Sequence, residues 1–446
     1  MFDSTDSAVT RPPLPAEYDC DVLIVGGGPS GAAAAYWLAQ SGADVLVVER
    51  KHFPRDKTCG DGLTPRSVRQ LYEMGLRDQL SKSHRYSGLR AKAFGKELVL
   101  PWPDHPDYPD HGFVVTRSEL DDLVTSNSEK AGAAVWQGAE AIAPLGPDAS
   151  NGGPALGATI TDKDHGTSSS VRAKYVVIAD GANSRLGRAL GVTRDRSIPQ
   201  GVALRGYFTS PRHDEPFIES HLDIRDKENN VVPGYGWIFP IGDGRVNVGI
   251  GVLAAAERLK EINTTTLMDD FVDYAPASWC ISPETACGPP TGGRLPMGLS
   301  VGPRVGPDYV IVGDAGGSIN PFNGEGIAYG YETGRMAATY VGQALSANDP
   351  RILRAYETEL QETYGLYYRV ASSFMKLMGK PDVLHALVGT GMYSKSLMEW
   401  ILRIMSNMLR PDERGPAELA YKAITALALR RSGDRFAEGF GLAPSD

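Results

Sequence analysis

Apolar residues first fall into a regular pattern in "CDVLIVGGGPSGAAAAYWLAQSGADVLVVER", Cys20 to Arg50. Val22 to Val25 is a short apolar run that ends at glycine, which predicts a buried strand. Ala32 to Gln40 is alanine-rich and predicts a helix. Gly42 suits the turn after it, and Val45 to Val48 is a second strand-like run. Strand, helix and strand in this order predict a βαβ unit opening a parallel sheet. Thr64-Pro65 predicts another helix start, with Thr as cap and Pro at the first helical position. Thr116 to Gly132 is helical in character, and Ala158 to Ala182 reads as a hairpin running into a buried strand, Tyr175 to Ala179.

From Gly201 to Val252 the pattern changes to alternation and β-branched runs, which predict an antiparallel sheet in a second domain. Asp308 to Ile327 returns to strand, turn and helix, so the first domain is expected to be discontinuous. After about Ala347 the chain reads as helical. The expected division is a flexible lead-in over 1–16, a first domain over 17–84, 112–194 and 286–346, an inserted second domain over 85–111 and 195–285, and a helical region over 347–446.

The 446 residues and 42% hydrophobic content allow a large core. A net charge of −9 argues against a nucleic-acid partner. Cys20, Cys59, Cys280 and Cys287 have neither disulfide-framework nor metal spacing, so no metal is expected and a reducing cytoplasm fits. The opening residues have no basic or long apolar segment, so they do not read as a secretory signal. No run of about 18 apolar residues is present to span a bilayer.

Gly26, Gly28 and Gly31 form G-x-G-x-x-G between the first strand and its helix. The glycines permit a tight turn, close approach of a pyrophosphate, and close helix–strand packing. Glu49 ends the second strand, where a carboxylate accepts from ribose hydroxyls and disfavours a 2′-phosphate. FAD and NAD remain. Asp180-Gly181 and Gly313-Asp314 each follow a strand, and "GDAGGSINPFNGEG" runs into a helix. Taken with the fingerprint, these stretches resemble the FAD-binding motifs of the flavin hydroxylase superfamily. That resemblance implies a Rossmann-like FAD-binding domain of α/β class with an inserted antiparallel substrate domain. It puts Gly26, Gly28, Gly31, Glu49, Arg50, Gly60, Asp180 and Gly181 at FAD. It also puts Arg117 and Asp314 at the cofactor, and the backbone of Gly324, Gly326 and Ile327 at the flavin pyrimidine edge. The bland alternatives are a surface arginine at 117 and turn-stabilising aspartates at 180 and 314. "GIGVLA", Gly249 to Ala254, also fits a glycine fingerprint but reads as a strand-to-helix turn. With one convincing dinucleotide site, the external electron donor stays unknown.

Two further stretches narrow the class. "PRDKTCGDGLTPRSV" follows the second strand, and "PGYGWIFP" sets Tyr235, Trp237 and Phe239 at every second position before Pro240. Together they resemble the geranylgeranyl reductase family, FAD enzymes that saturate prenyl double bonds, and within it most the members that act on menaquinone. The resemblance implies a polyprenyl lipid substrate, held by Tyr207, Tyr235, Trp237, Phe239, Pro240 and Phe322. It makes Cys59, Tyr235 and Trp237 the catalytic candidates. An isolated alkene accepts hydride poorly, so protonation first, with aromatic rings stabilising cation character, is the expected route. The competing readings are a geranylgeranyl lipid or diphosphate reductase, a flavin monooxygenase or halogenase, and an electron-relay quinone reductase. Residues 370–446 hold six of the 11 methionines. Lys395 to Arg431 carries seven basic and four acidic residues. That segment is expected either to cap the first domain or to give a cytoplasmic protein peripheral membrane contact.

Overall fold

The structure is a computed structural model that describes residues 11–198, 200–254, 263–410 and 412–431. The expected βαβ unit is present as β1 (Glu17–Val25), α1 (Pro29–Gln40) and β2 (Val45–Glu49). β1 is parallel to β2 and, on its other side, to Thr167–Ile178. Ala134–Gln137 extends the parallel set beyond β2, and Tyr309–Ile311 pairs in parallel with Thr167–Ile178. The predicted hairpin joins Gly157–Asp162 antiparallel to Thr167–Ile178, and Ala139–Pro144 completes this seven-stranded nucleotide sheet. The long helix Ile327–Ala347 lies against α1. Glycine makes this closeness possible, since a Cβ at Gly334 would lie 2.3 Å from the Ser30 carbonyl oxygen.

The second sheet is also seven-stranded. It runs in the order Thr291–Pro296, Gln200–Thr209, Arg245–Ala254, Gly234–Pro240, Ile218–His221, Gly88–Ala93 and Lys96–Pro101. It departs from the antiparallel expectation at one pair: Ile218–His221 runs parallel to Gly88–Ala93. The chain between those strands passes through the nucleotide sheet, so no hairpin imposes antiparallel pairing there. One face packs Ile238, Val246, Val248 and Ile250 against Leu267, Met268 and Phe271 of the helix Thr264–Tyr274. The other face carries Tyr235, Trp237 and Phe239. "GIGVLA" is corrected from a strand-to-helix turn to strand, because Arg245–Ala254 stays paired to its end. Its glycines clear room for a ring: a Cβ at Gly249 would lie 2.2 Å from Cζ2 of Trp237.

The methionine-rich tail turns inward. Met392, Met398, Leu402 and Met408 are buried with Tyr86, Trp102, Ile218 and Ile241, while Ile404 joins the nucleotide-sheet core. Residues 432–446 of the expected helical region and 1–10 of the lead-in lie outside the described residues. From Arg11 onward the lead-in is tethered. Arg11 donates to the buried Asp162 carboxylate at 2.7 Å, and the Leu14 N–H donates to the same group at 3.0 Å.

The tightest constraint is at Gly31, where a Cβ would lie 1.8 Å from the Gly26 carbonyl oxygen. Gly31→Ala must push α1 off the sheet, at a cost of about 1–3 kcal/mol or more. Purified variant protein is expected to melt several degrees lower and to lose its flavin absorbance on gel filtration.

Candidate active site

Four stretches meet where the two sheets face each other. The first is the β1–α1 turn. Its helix begins at Gly28 with no side-chain cap and no acidic residue in the first turn. The free N–H groups and the positive helix end therefore face outward, as an anion requires. Glu49, at the end of β2, accepts from the Gly27 N–H at 3.0 Å and from Arg55 at 3.2 Å. Arg50 follows it and is exposed. Gly181, at φ +80°, leaves open space where a side chain would stand.

The second and third stretches are the Cys59-Gly60-Asp61-Gly62 loop and the aromatic strand Gly234–Pro240. Ring centroids of Tyr235 and Trp237 are 5.8 Å apart, and those of Trp237 and Phe239 are 6.2 Å apart. The loop lies on these rings. A Cβ at Gly60 would meet Phe239 at 3.1 Å and the Trp237 indole nitrogen at 3.4 Å, and one at Gly62 would meet Phe239 at 3.1 Å. A buried polar network fixes the contact. The Trp237 indole N–H donates to Asn247 Oδ1 at 2.9 Å. Asn247 Nδ2 in turn donates to the Cys59 carbonyl and to Asp61 Oδ2, both at 2.8 Å. The Tyr207 hydroxyl donates to the same Asp61 oxygen at 2.6 Å. Burial pushes the Asp61 carboxyl up to about 6, against the pull of these donors. Burial also pushes the Cys59 thiol up, so it stays protonated at neutral pH.

The fourth stretch is the turn into the helix Ile327–Ala347. The Tyr235 hydroxyl donates to the Asn323 carbonyl at 2.7 Å, tying the aromatic strand to this turn. Gly324 takes φ +77°, and Gly326 begins the helix without a side-chain cap. Asp314, at the preceding glycine turn, pairs with Lys57 at 2.8 Å.

Residues 19–211 match the FAD binding domain family, and residues 226–280, which contain the aromatic strand, match the geranylgeranyl reductase catalytic domain. The chain is 40% identical to a menaquinone reductase of Mycolicibacterium smegmatis over 93% of this chain and 98% of that one. This chain belongs to the geranylgeranyl reductase family of FAD-dependent oxidoreductases. A digeranylgeranylglycerophospholipid reductase of Methanosphaera stadtmanae is 28% identical over 79% of this chain and 85% of its own length. A geranylgeranyl bacteriochlorophyll reductase-like structure from Thermoplasma acidophilum superposes with TM-score 0.69 at 22% identity, covering 95% of this chain and 99% of that one. The flavin-dependent brominase Bmp2 reaches 0.70 at 19% identity over 93% and 100% of the two chains. These two likenesses show the fold alone.

The residues of this reductase fit FAD. The two uncapped helix starts belong to helices packed against each other, and Asp180 Oδ1 is buried with no partner. The other Asp180 oxygen caps a short helix, accepting from the N–H groups of Arg185 at 2.8 Å and Leu186 at 3.1 Å. The structure thus places Asp180 partly in the bland role open to it. Arg117 is buried, not on the surface. Its guanidinium is held by Asp121 at 2.7 and 2.8 Å. Phe322 packs against Tyr367 and Phe374 of the helical tail, with centroids at 5.3 and 5.5 Å. Pro240 is buried at the end of the aromatic strand.

Three buried polar residues of this region were not among the candidates read from the sequence: Asp61, Asn247 and, in the turn before the helix Ile327–Ala347, Glu325. Asn247 had a signal. It shares strand parity with Gly249 and Gly251, the only polar amide beside two positions without side chains. Asn247→Leu would leave the Trp237 N–H without its acceptor and the Cys59 carbonyl without its Asn247 donor, at about 1–3 kcal/mol each, and would remove one of the two donors to Asp61 Oδ2. The variant is expected to melt at lower temperature and to show red-shifted Trp fluorescence, with the FAD-binding domain still flavin-loaded.

Proposed function

We propose that this enzyme saturates one or more carbon–carbon double bonds in a polyprenyl chain, and that its substrate is the isoprenoid side chain of menaquinone. One observation carries the reading: a row of three aromatic rings is locked against the Cys59 loop at the flavin-binding turn. The near full-length identity to a mycobacterial menaquinone reductase supports it. A prenyl chain has no polar handle along its length, so the wall must bind it by burial, at about 25 cal/mol per Å². Reduced FAD supplies the electron pair and one hydrogen of the reduction.

The chain's own residues take the other roles. Gly26, Gly28, Gly31, Glu49, Arg50, Asp180 and Gly181 hold the ADP half of the cofactor. Gly60, Arg117, Asp314, Gly324, Gly326 and Ile327 surround the flavin end. Tyr207, Phe239, Pro240 and Phe322 bound the path of the lipid. Tyr235 and Trp237 place ring faces where positive charge develops on the alkene. The Cys59 thiol, held protonated by burial, packs next to them and excludes water.

A neutral headgroup is favoured over a diphosphate. Arg205 and Arg245 both approach the Tyr207 ring, at 4.3 and 5.4 Å. Each already has its own carboxylate, Asp56 for Arg205 and Asp243 for Arg245. The lipid is drawn from a membrane surface against which the helical tail rests. No described helix is long and apolar enough to cross a bilayer. Yet Leu377, Leu387, Tyr393, Leu419 and Ile424, all in that tail, are exposed. Electrons come from an external donor that binds without a Rossmann domain of this chain.

Dithionite-reduced enzyme mixed with menaquinone is expected to give a product heavier by two hydrogens per bond. Added oxygen or halogen, or a reduced ring with an untouched side chain, would reject the reading. Trp237→Leu with FAD retained is expected to slow flavin reoxidation by lipid roughly thirtyfold, equivalent to ~2 kcal/mol of cation–π stabilisation. A double Leu387→Ser, Leu419→Ser variant is expected to co-sediment several-fold less with anionic vesicles at unchanged flavin content. Unchanged partitioning removes the tail from membrane contact.

A further inference from the structure

Saturating an alkene adds two electrons and two protons, equivalent to one hydride and one proton. The electron pair and one hydrogen come from the reduced cofactor, so the second hydrogen must arrive as a proton held near the aromatic row. One buried carboxyl beside that row has no assigned role.

Glu325 belongs to the turn that anchors Tyr235. Its backbone N–H donates to Asn323 Oδ1 at 2.9 Å, and its carbonyl accepts from the Asn320 N–H at 2.9 Å. The neighbouring Gly324 sits where a Cβ would be 3.4 Å from the Tyr235 hydroxyl. Side-chain oxygen Oε1 accepts from the Thr64 hydroxyl and, at 3.4 Å, from the Ser67 hydroxyl. Oxygen Oε2 is buried and has no hydrogen-bond partner. Among the described residues no cation pairs with it. Arg66 is the nearest source of positive charge, and Glu332 holds that guanidinium at 2.8 and 3.0 Å. A carboxylate would find two hydroxyl donors on one oxygen and none on the other. A carboxylic acid removes the charge from the unpartnered oxygen, and a proton carried there is not tied to any other group among the described residues.

We infer that Glu325 holds the proton taken up by the alkene. The inference rests on the proposed prenyl reduction. In the step, the Oε2–H bond breaks and a C–H bond forms at one alkene carbon. The other carbon would take the hydride that reduced FAD supplies when bound, and the carboxylate regains its proton from solvent before the next turnover.

The electrostatics agree with the geometry. Burial pushes the Glu325 carboxyl up to about 7, and Glu332 adds to that rise. Thr64, Ser67 and Arg66 oppose it. Tyr329 from its own helix, Tyr235 from the aromatic strand and Tyr86 from the strand His84–Tyr86 are the other titratable groups facing it, and burial keeps all three protonated. Below about pH 7 the acid is loaded, and above it the acid empties. Asp61 differs. Its oxygens take the Arg117 N–H, the Tyr207 hydroxyl and the Asn247 amide, with donors on both oxygens, so it orients its neighbours.

The test uses FAD-loaded, dithionite-reduced full-length enzyme mixed with menaquinone in detergent. It reads single-turnover flavin reoxidation and product mass from about pH 5 to about pH 9. The wild-type rate is expected to fall about tenfold per pH unit above a midpoint near 7. Glu325→Gln should lose that limb and run about 10²–10⁴-fold slower at low pH. Ser67→Ala removes a donor to the carboxylate and should move the midpoint upward. Should Glu325→Gln fail to load FAD, the Ser67→Ala midpoint decides, and an unmoved midpoint overturns the inference. A Glu325→Gln variant that keeps the wild-type limb also overturns it. Wild-type enzyme that leaves the side chain unsaturated defeats the prenyl-reductase reading instead.

Discussion

The Asn247 amide holds the two halves of the site together. One Nδ2 group donates both to the Cys59 carbonyl and to the Asp61 carboxylate, while Oδ1 takes the Trp237 indole N–H. The Cys59 loop and the sheet that carries the aromatic row are therefore bonded through this side chain, with the Tyr207–Asp61 bond beside it. Losing any member leaves a buried polar atom unpaired, which costs more than the bond itself contributes. Asp61 can turn its carboxylate toward the sheet because its backbone takes φ +64°, a conformation that Asp tolerates better than most residues. Glycine on either side lets the Phe239 ring lie flat against the loop. The aromatic wall is thus placed by polar atoms as much as by its own packing.

Much of this fold could be read along the chain. Local patterns sufficed for the βαβ start, the hairpin, the helix capped by Thr64 and the aromatic face of the Gly234–Pro240 strand, because each depends on neighbours within one or two elements. The parallel pairing of Ile218–His221 with Gly88–Ala93 depends on a partner more than a hundred residues away. No periodicity reports such a partner. "GIGVLA" misled for a related reason. A glycine pair that signals a turn in isolation here answers the bulk of Trp237 on the adjacent strand, at the register position opposite Gly249.

Charged residues were the least legible. Asp180 follows a strand and precedes a glycine, as a ligand residue would. The same carboxylate also reaches the short helix Arg185–Ala189 a few residues on and accepts from its first N–H groups. Both roles draw on one property, a carboxylate facing free N–H donors, so sequence alone could not separate them. For Arg117 the decisive partner is Asp121, one helical turn on, a spacing equally common in surface pairs. Only burial distinguishes it. Glu325 gave no signal, since a glutamate between two glycines ahead of a helix reads as solvent-exposed.

Charges near the aromatic row are nearly all matched. Arg205 with Asp56, Arg245 with Asp243, and Lys57 with Asp314 each form a pair that leaves little net field. Such an interior suits an apolar chain and a neutral head, but it raises the question of register. A prenyl chain repeats, so sliding it by one unit along an apolar wall exchanges equal contacts for equal contacts. Burial energy gives affinity without choosing a bond. The choice must come from an end of the substrate, where the repeat stops. Tyr207 sits across the sheet beside Asn247, with one guanidinium 4.3 Å from its ring and a second at 5.4 Å. On the proposed substrate, a planar headgroup held near these groups would set its distance to the alkene in units of chain length.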